Sequence, residues 1–314
     1  MHQMKRLQES CKKNGPLCVG LDTDPSYLPP EVLKEYPSPA QAVLAYNKAL
    51  IDACAPYAGS FKVQIAYYEA MGIEGLIAFA ETVALLRKKG IPVITDAKRG
   101  DIADTAKAYA RAHFSGDFET DILTVNPYMG FDTLKPFTEF CKAEKEGGKE
   151  KGIFVLLRTS NPGMQDIEKQ TLQSGGLVLD AVGRELKSLA KELAEGYGVK
   201  EDWNESCSPV GAVVGCTEES DARQLRDAYP EIFFLIPGYG AQGGAARIAA
   251  TLLDKAGGTV NSSRGILCAW KKDESLASLR QSGKLTMEAI VKSAQKAAEN
   301  SKEDLLKAVE ALRG

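Results

Sequence analysis

Histidine is almost missing from this 314-residue chain, which carries only His2 and His113. Two imidazoles are too few for a histidine-rich metal site and argue against a Ser-His-Asp relay, so acid and base work falls to Lys, Asp or Glu. The seven cysteines (Cys11, Cys18, Cys54, Cys141, Cys207, Cys216, Cys268) are odd in number and contain no C-x-x-C pair. They read as free thiols in a reducing compartment, mostly core filler. No run of about 18 apolar residues occurs, and the charged N-terminus MHQMKRLQESCKKNGPLCVGLD has no apolar stretch of signal type. Neither a membrane span nor a secretory leader is expected, and the expected location is the cytoplasm. A net charge of -3 with mixed signs gives no basic stripe, so neither nucleic acid nor an anionic membrane is an expected partner. The G-x-G-x-x-G turn of dinucleotide-binding open sheets is also absent after the first apolar run.

What is present is an ordinary globular composition, 44% apolar and 26% charged, able to build a large core without covalent staples. Eight short apolar runs recur at 16–22, 60–66, 92–98, 121–127, 152–160, 211–216, 233–240 and 258–265. Helical periodicity separates many of them, at 40–54, 75–88, 101–113, 177–195 and 221–228, with a final helix pair expected over 287–312. Eight is the strand number of the closed parallel barrel. The expected fold is therefore α/β, a (β/α)8 TIM barrel forming a single domain over 1–314, with an N-terminal helix and loop insertions; a doubly wound open sheet is the alternative. Residues 161–176, after the fifth run, are a lid candidate. Residues 196–209 read as bland surface at the other end, and 269–284 as an insertion without a role.

Chemistry concentrates at the strand ends. Asp96 and Lys98 stand two apart on strand three, so strand alternation points both into the barrel mouth, with Asp101 on the following loop. An ion pair of purely structural purpose is the plain reading of such a doublet. Lys62, between Phe61 and Val63 on strand two, and Asp22 at the end of strand one raise the count to five ionisable groups from three neighbouring strands. Packing does not account for that, because buried charge is costly unless it is paired. PGYGAQGG (237–244) precedes a helix, where glycines let backbone N–H groups approach an anion, and Arg264 follows strand eight. Phosphate binding by the loops after strands seven and eight recurs in barrels. Ser160 and Asn161 end strand five as a turn cap or as readers of a polar edge. Arg99, Asp24 and Asp104 read as solvated loop charge, and Asn126 as a turn cap.

The pattern D-x-K-x-x-D-I-x-x-T (Asp96, Lys98, Asp101, Ile102, Thr105) follows Lys62 in FKVQ and Asp22 in GLDTDP. Ser160-Asn161-Pro162-Gly163, the 237–244 segment and Ser263-Arg264-Gly265 come after it. Together these motifs, running from the first strand to the eighth, resemble the orotidine 5'-monophosphate decarboxylase family in its longer bacterial subgroup. The resemblance implies decarboxylation of a nucleotide substrate, orotidine 5'-monophosphate, to UMP and CO2, the last step of de novo pyrimidine nucleotide synthesis, with no metal or cofactor. It implies a homodimer with a shared active site, whose catalytic tetrad is Lys62, Asp96, Lys98 and Asp101 of the partner subunit. By the same resemblance Asp22 and Lys62 meet ribose hydroxyls, while Asp101, Ile102 and Thr105 belong to the motif that reaches across the interface. Ser160 then reads the pyrimidine amide, Gln242 links lid and phosphate, and Gly240 and Arg264 bind phosphate.

The physics of such a tetrad is simple. Two ammonium and two carboxylate groups sum to zero, and each opposite pair at about 4 Å is worth about 4 kcal/mol at an effective dielectric of about 20, so all four stay ionised. Loss of CO2 leaves charge on a ring carbon that no adjacent carbonyl or imine can delocalise; Lys98 is assigned both its stabilisation and its protonation, with Asp96 fixing Lys98. Two rival readings stay open. A magnesium-dependent sugar-phosphate decarboxylase or aldolase of the same barrel group needs an acidic ligand near the end of strand two, where this chain has Lys62 and, further on, Glu69. A nonenzymatic phosphate-ligand binding barrel is the other.

Overall fold

The computed structural model describes residues 1–199, 206–239 and 243–313. Its eight parallel strands are β1 (Leu17–Gly20), β2 (Ser60–Gln64), β3 (Val93–Arg99), β4 (Ile122–Val125), β5 (Gly152–Arg158), β6 (Val210–Val214), β7 (Phe234–Ile236) and β8 (Gly258–Ser262). Each pairs with the next, and β1 also pairs with β8 through Leu17 opposite Val260 and Cys18 opposite Asn261. That last pairing closes the barrel and removes the open-sheet alternative. Several strands stop short of the apolar runs that announced them. β2 ends at Gln64, whose side chain accepts from Ala66 N and caps a helix, Ile65–Glu69; β7 has three residues and β8 ends at Ser262.

Alternation along the strands builds two apolar layers. Cys18, Ile94, Ile122, Phe154, Phe233 and Leu235 form one cluster with Met4 and Leu7, which fills the barrel. Leu17, Val19, Phe61, Val63, Val93, Leu123 and Val155 belong to the larger cluster under the helices. Helix Gln3–Asn14 closes the bottom: Met4 and Leu7 are fully buried, and Gln3, Gln8 and Ser10 donate to the backbone oxygens of Glu150, Ala256 and Gly59, just ahead of β5, β8 and β2. With one end plugged, the charged strand residues Lys62, Asp96 and Lys98 meet at the other.

Helices Pro39–Cys54, Gly72–Lys88, Ala103–Phe114, Val178–Gly196 and Glu219–Ala228 lie within a few residues of their expected positions. The expected C-terminal pair is instead one helix, Met287–Arg313. That segment contains neither Gly nor Pro, and Ile290, Ala294, Ala298 and Leu305 recur on a single buried stripe, so nothing breaks it. The 269–284 insertion forms short helical turns, and Trp270 Nε1 donates to Tyr27 O at 2.9 Å, which ties it to the loop after β1. Among the described residues no helix is long and apolar enough to cross a membrane.

One buried cation holds the lower rim. Arg226 is fully buried, and its guanidinium donates to the carbonyls of Leu252, Tyr229, Ile232 and Gly257 at 2.8 to 3.1 Å while lying 3.7 Å from the centre of the Phe234 ring. Burial pulls it down to about 9. Because one side chain satisfies carbonyls from both the β7 and β8 approaches, Arg226→Met should cost about 3–5 kcal/mol in urea unfolding, each orphaned acceptor adding its desolvation penalty. Unchanged stability would show that those carbonyls find other donors.

Candidate active site

β3 is not a regular strand where the motif begins. Thr95 pairs with Leu123 and Arg99 with Val125, so three residues of β3 (Asp96, Ala97, Lys98) face the single residue Thr124 of β4. Lys98 takes a left-handed backbone, φ 46°. That conformation is strained for any residue with a Cβ. The Thr124 hydroxyl serves all three bulged residues: it accepts from Ala97 N at 3.0 Å and Lys98 N at 2.9 Å, and donates to Asp96 Oδ1 at 2.9 Å. One proton and two lone pairs are thereby all used. Simple alternation brought Asp96 and Lys98 to one face on paper; in the protein the bulge does it, with Lys98 turned back onto Asp96.

The charged groups form a chain. Lys98 Nζ lies 2.7 Å from Asp96 Oδ1, Lys62 Nζ lies 3.2 Å from Asp96 Oδ2, and the same Lys62 nitrogen lies 2.8 Å from Asp22 Oδ1. Burial works against charge on Asp96, but Lys62 and Lys98, with hydrogen bonds from Lys98 and Thr124, carry its carboxyl down to about 2. Burial likewise disfavours the Lys62 ammonium, and the Asp22 and Asp96 carboxylates overcome it, holding Lys62 above the usual lysine range. The Lys62 side chain is 5% exposed and that of Lys98 is 45% exposed. Only Lys98 of the two therefore reaches freely into the mouth, a cavity of about 220 Å³ lined by Lys62, Asp96, Lys98, Ser160 and Asn261 among others.

The remaining expected residues are placed unequally. Ser160 lines the cavity at the end of β5. Asp101 turns to its own backbone, accepting from Ile102 N at 2.7 Å, and is not among the residues lining the cavity. Thr105 and Ile102 are exposed on the start of the next helix, Ile102 at 59%. Arg264 is exposed at the rim, directly after Ser263. Gly240 and Gln242 lie outside the described residues.

Comparison with known proteins bears on this geometry. Residues 15–279 match the model of the Orotidine 5'-phosphate decarboxylase / HUMPS family. The chain belongs to that family. An orotidine 5'-phosphate decarboxylase of Clostridium botulinum (strain Loch Maree / Type A3) is 48% identical over 268 residues, 85% of this chain and 89% of the relative. One from Clostridium novyi (strain NT) is 47% identical over 270 residues, 86% and 90% of the two chains. Among solved structures, the OMP decarboxylase of Leishmania donovani superposes with a TM-score of 0.69 at 27% identity, covering 98% of this chain and 99% of its own.

In this decarboxylase family member several side chains that shape the site carry no signal in the sequence motif. Thr124 is by type one more β-branched residue of the 121–127 run. Arg99, read as solvated charge, is a brace: its Nε donates to His113 Nε2 at 3.1 Å, Nη2 to Glu69 at 3.3 Å, and it sits over Tyr109. Burial, and next the Arg99 charge, push His113 down to about 4, which keeps it a neutral acceptor. Asn126 caps its turn as expected, accepting from Tyr128 N. The 161–176 segment folds back on β5, where Glu168 accepts from Thr159 N and Oγ1, and Lys169 and the buried Arg158 both pair with Asp221. None of these partners is near in pattern to the motif, so no spacing announced them.

Thr124→Val keeps the shape but leaves two backbone N–H groups without an acceptor. A loss of about 2–4 kcal/mol is expected by chemical denaturation, with Thr124→Ser close to the native chain. Native stability in Thr124→Val would mean that the bulge holds itself.

Proposed function

We propose that this chain decarboxylates orotidine 5'-monophosphate to UMP and CO2, the last step of de novo pyrimidine nucleotide synthesis, with Lys98 as the catalytic acid. The observation that carries this reading is Lys98, ion-paired to a buried carboxylate yet half open to the cavity. The carboxylate bond to the ring carbon breaks and CO2 departs. The electron pair stays on that carbon, facing the Lys98 ammonium, whose proton then closes the valence. The neutral amine regains its proton from solvent. A fixed charge in a water-poor mouth stabilises the developing carbanion without reorganising at the moment of reaction. Asp96 fixes Lys98 and, beside the substrate carboxylate, disfavours the ground state. Lys62 and Asp22 take ribose hydroxyls, Ser160 the pyrimidine amide, and Gly240, Gln242 and Arg264 the phosphate, whose binding energy draws the 161–176 segment closed.

The working unit in this reading is a homodimer of single-domain chains, cytoplasmic, with Asp101, Ile102 and Thr105 entering the neighbouring site. Ile102, Tyr128 and Met129, exposed at 59%, 78% and 56% on adjoining loops after β3 and β4, support an interface there. The magnesium-dependent alternative is disfavoured by Lys62, whose ammonium occupies the gap between Asp22 and Asp96 that a cation would need. Charge stabilisation by Lys98 makes a cofactor unnecessary, and neither nucleic acid nor membrane is a partner in this account.

Consumption of orotidine 5'-monophosphate, followed by ultraviolet absorbance, should proceed equally with and without a chelator; loss on chelation would favour the magnesium reading. Lys98→Ala should lower turnover by at least about 10⁴-fold while UMP binding stays within about tenfold, and near-normal turnover would refute the role of Lys98. Mixing inactive Lys98→Ala and Asp101→Ala chains should regenerate about a quarter of native sites, since half the dimers are mixed and each restores one site. No recovery despite confirmed subunit exchange counts against a shared site.

A further inference from the structure

We infer that Ser263 and Asn261 are positioning residues for Asp22 and, through it, for the ribose of the bound nucleotide; the inference rests on the nucleotide reading of this site. Asp22 is held at both oxygens, by Lys62 Nζ at 2.8 Å on Oδ1 and by Ser263 Oγ at 2.7 Å on Oδ2. Ser263 Oγ in turn accepts from Asn261 Nδ2 at 3.0 Å. The direction of this relay is fixed by inventory. An ionised carboxylate only accepts, a serine hydroxyl has one proton, and that proton is committed to Asp22. Ser263 must therefore accept from the amide nitrogen, which leaves Asn261 Oδ1 as the free end.

Among the described residues that oxygen has no hydrogen-bond partner, although it is buried on a residue 7% exposed that lines the same cavity as Lys62, Asp96 and Lys98. A leucine would fill the same volume without stranding an acceptor, so packing does not explain an amide here. The space for the relay comes from residue 20. A Cβ on Gly20 would lie 2.0 Å from Ser263 Oγ and 2.8 Å from Asn261 Oδ1, so any side chain there evicts both groups. Closure of the barrel supplies the contact, since β1 and β8 meet only through the last pairing of the sheet. Without Ser263, Asp22 is anchored at one oxygen and swings about the Lys62 contact.

The test uses the full-length chain with UMP and 2',3'-dideoxy-UMP as calorimetric probes, alongside turnover of orotidine 5'-monophosphate. Ser263→Ala and Asn261→Leu should each weaken UMP about tenfold, the weight of one hydrogen bond to a charged group, and should bind the dideoxy nucleotide as the native chain does. Gly20→Ala should show the same ribose-dependent loss. Asn261→Asp cannot donate to Ser263 when ionised, so its UMP affinity relative to the native chain should recover as pH falls toward about 5. Equal losses on both nucleotides, or a ratio for Asn261→Asp that stays flat with pH, overturn the inference. If Asn261→Leu does not fold, Ser263→Ala carries the nucleotide comparison alone. A native chain that binds UMP without turning over orotidine 5'-monophosphate removes the decarboxylase reading, and the ribose comparison still decides the relay. A native chain that fails to bind UMP, or does not distinguish it from the dideoxy form, overturns the relay itself.

Discussion

The Asp96 carboxylate, buried between two ammonium groups, sets the terms for the rest of the mouth. A carboxylate removed from water needs its charge and its lone pairs answered by fixed partners. Lys98 and Thr124 meet one oxygen and Lys62 the other. Lys62 is buried in turn, so it needs the second carboxylate, Asp22, and Asp22 needs Ser263. Each requirement passes to the next strand, and a run of side chains from β3 through β2 and β1 to β8 is the result.

The same constraint explains the irregular strand. A lysine two residues on from Asp96 in an ideal strand projects parallel to it and away from it. Bending its ammonium onto the carboxylate takes the bulge and a left-handed residue. The strain is offset by the Thr124 hydroxyl beneath and by the Arg99 brace on His113 and Glu69 outside. The plugged lower end contributes as well. Arg226 and the N-terminal helix tie that rim together through backbone carbonyls, so the end of the barrel left open is the one that carries the charged mouth.

Much of this is legible in the sequence. Eight apolar runs with helical stretches between them point to a parallel α/β fold with the strand number of a barrel, whose closure the β1–β8 pairing decides, and Asp22, Lys62, Asp96 and Lys98 stand out because charge at neighbouring strand ends has no packing purpose. Their partners were not legible. Thr124, Ser263 and Asn261 are common strand and turn residues, and Arg99 looks like any loop arginine; what distinguishes them is the neighbour each one meets. The C-terminal segment, expected as two helices, is one because its buried stripe of Ile290, Ala294, Ala298 and Leu305 runs uninterrupted.

The sequence by itself determined the strand count, the charged set and the family, because these rest on local patterning and on residue types that chemistry restricts. Tertiary structure alone decided which oxygen each ammonium takes, that β3 bulges, that Asp101 turns away from its own cavity, and that residues 22 and 263 touch. Those facts depend on barrel closure and on strand register, and a one-residue change in register would alter every contact in the chain of charges while leaving the sequence motif intact.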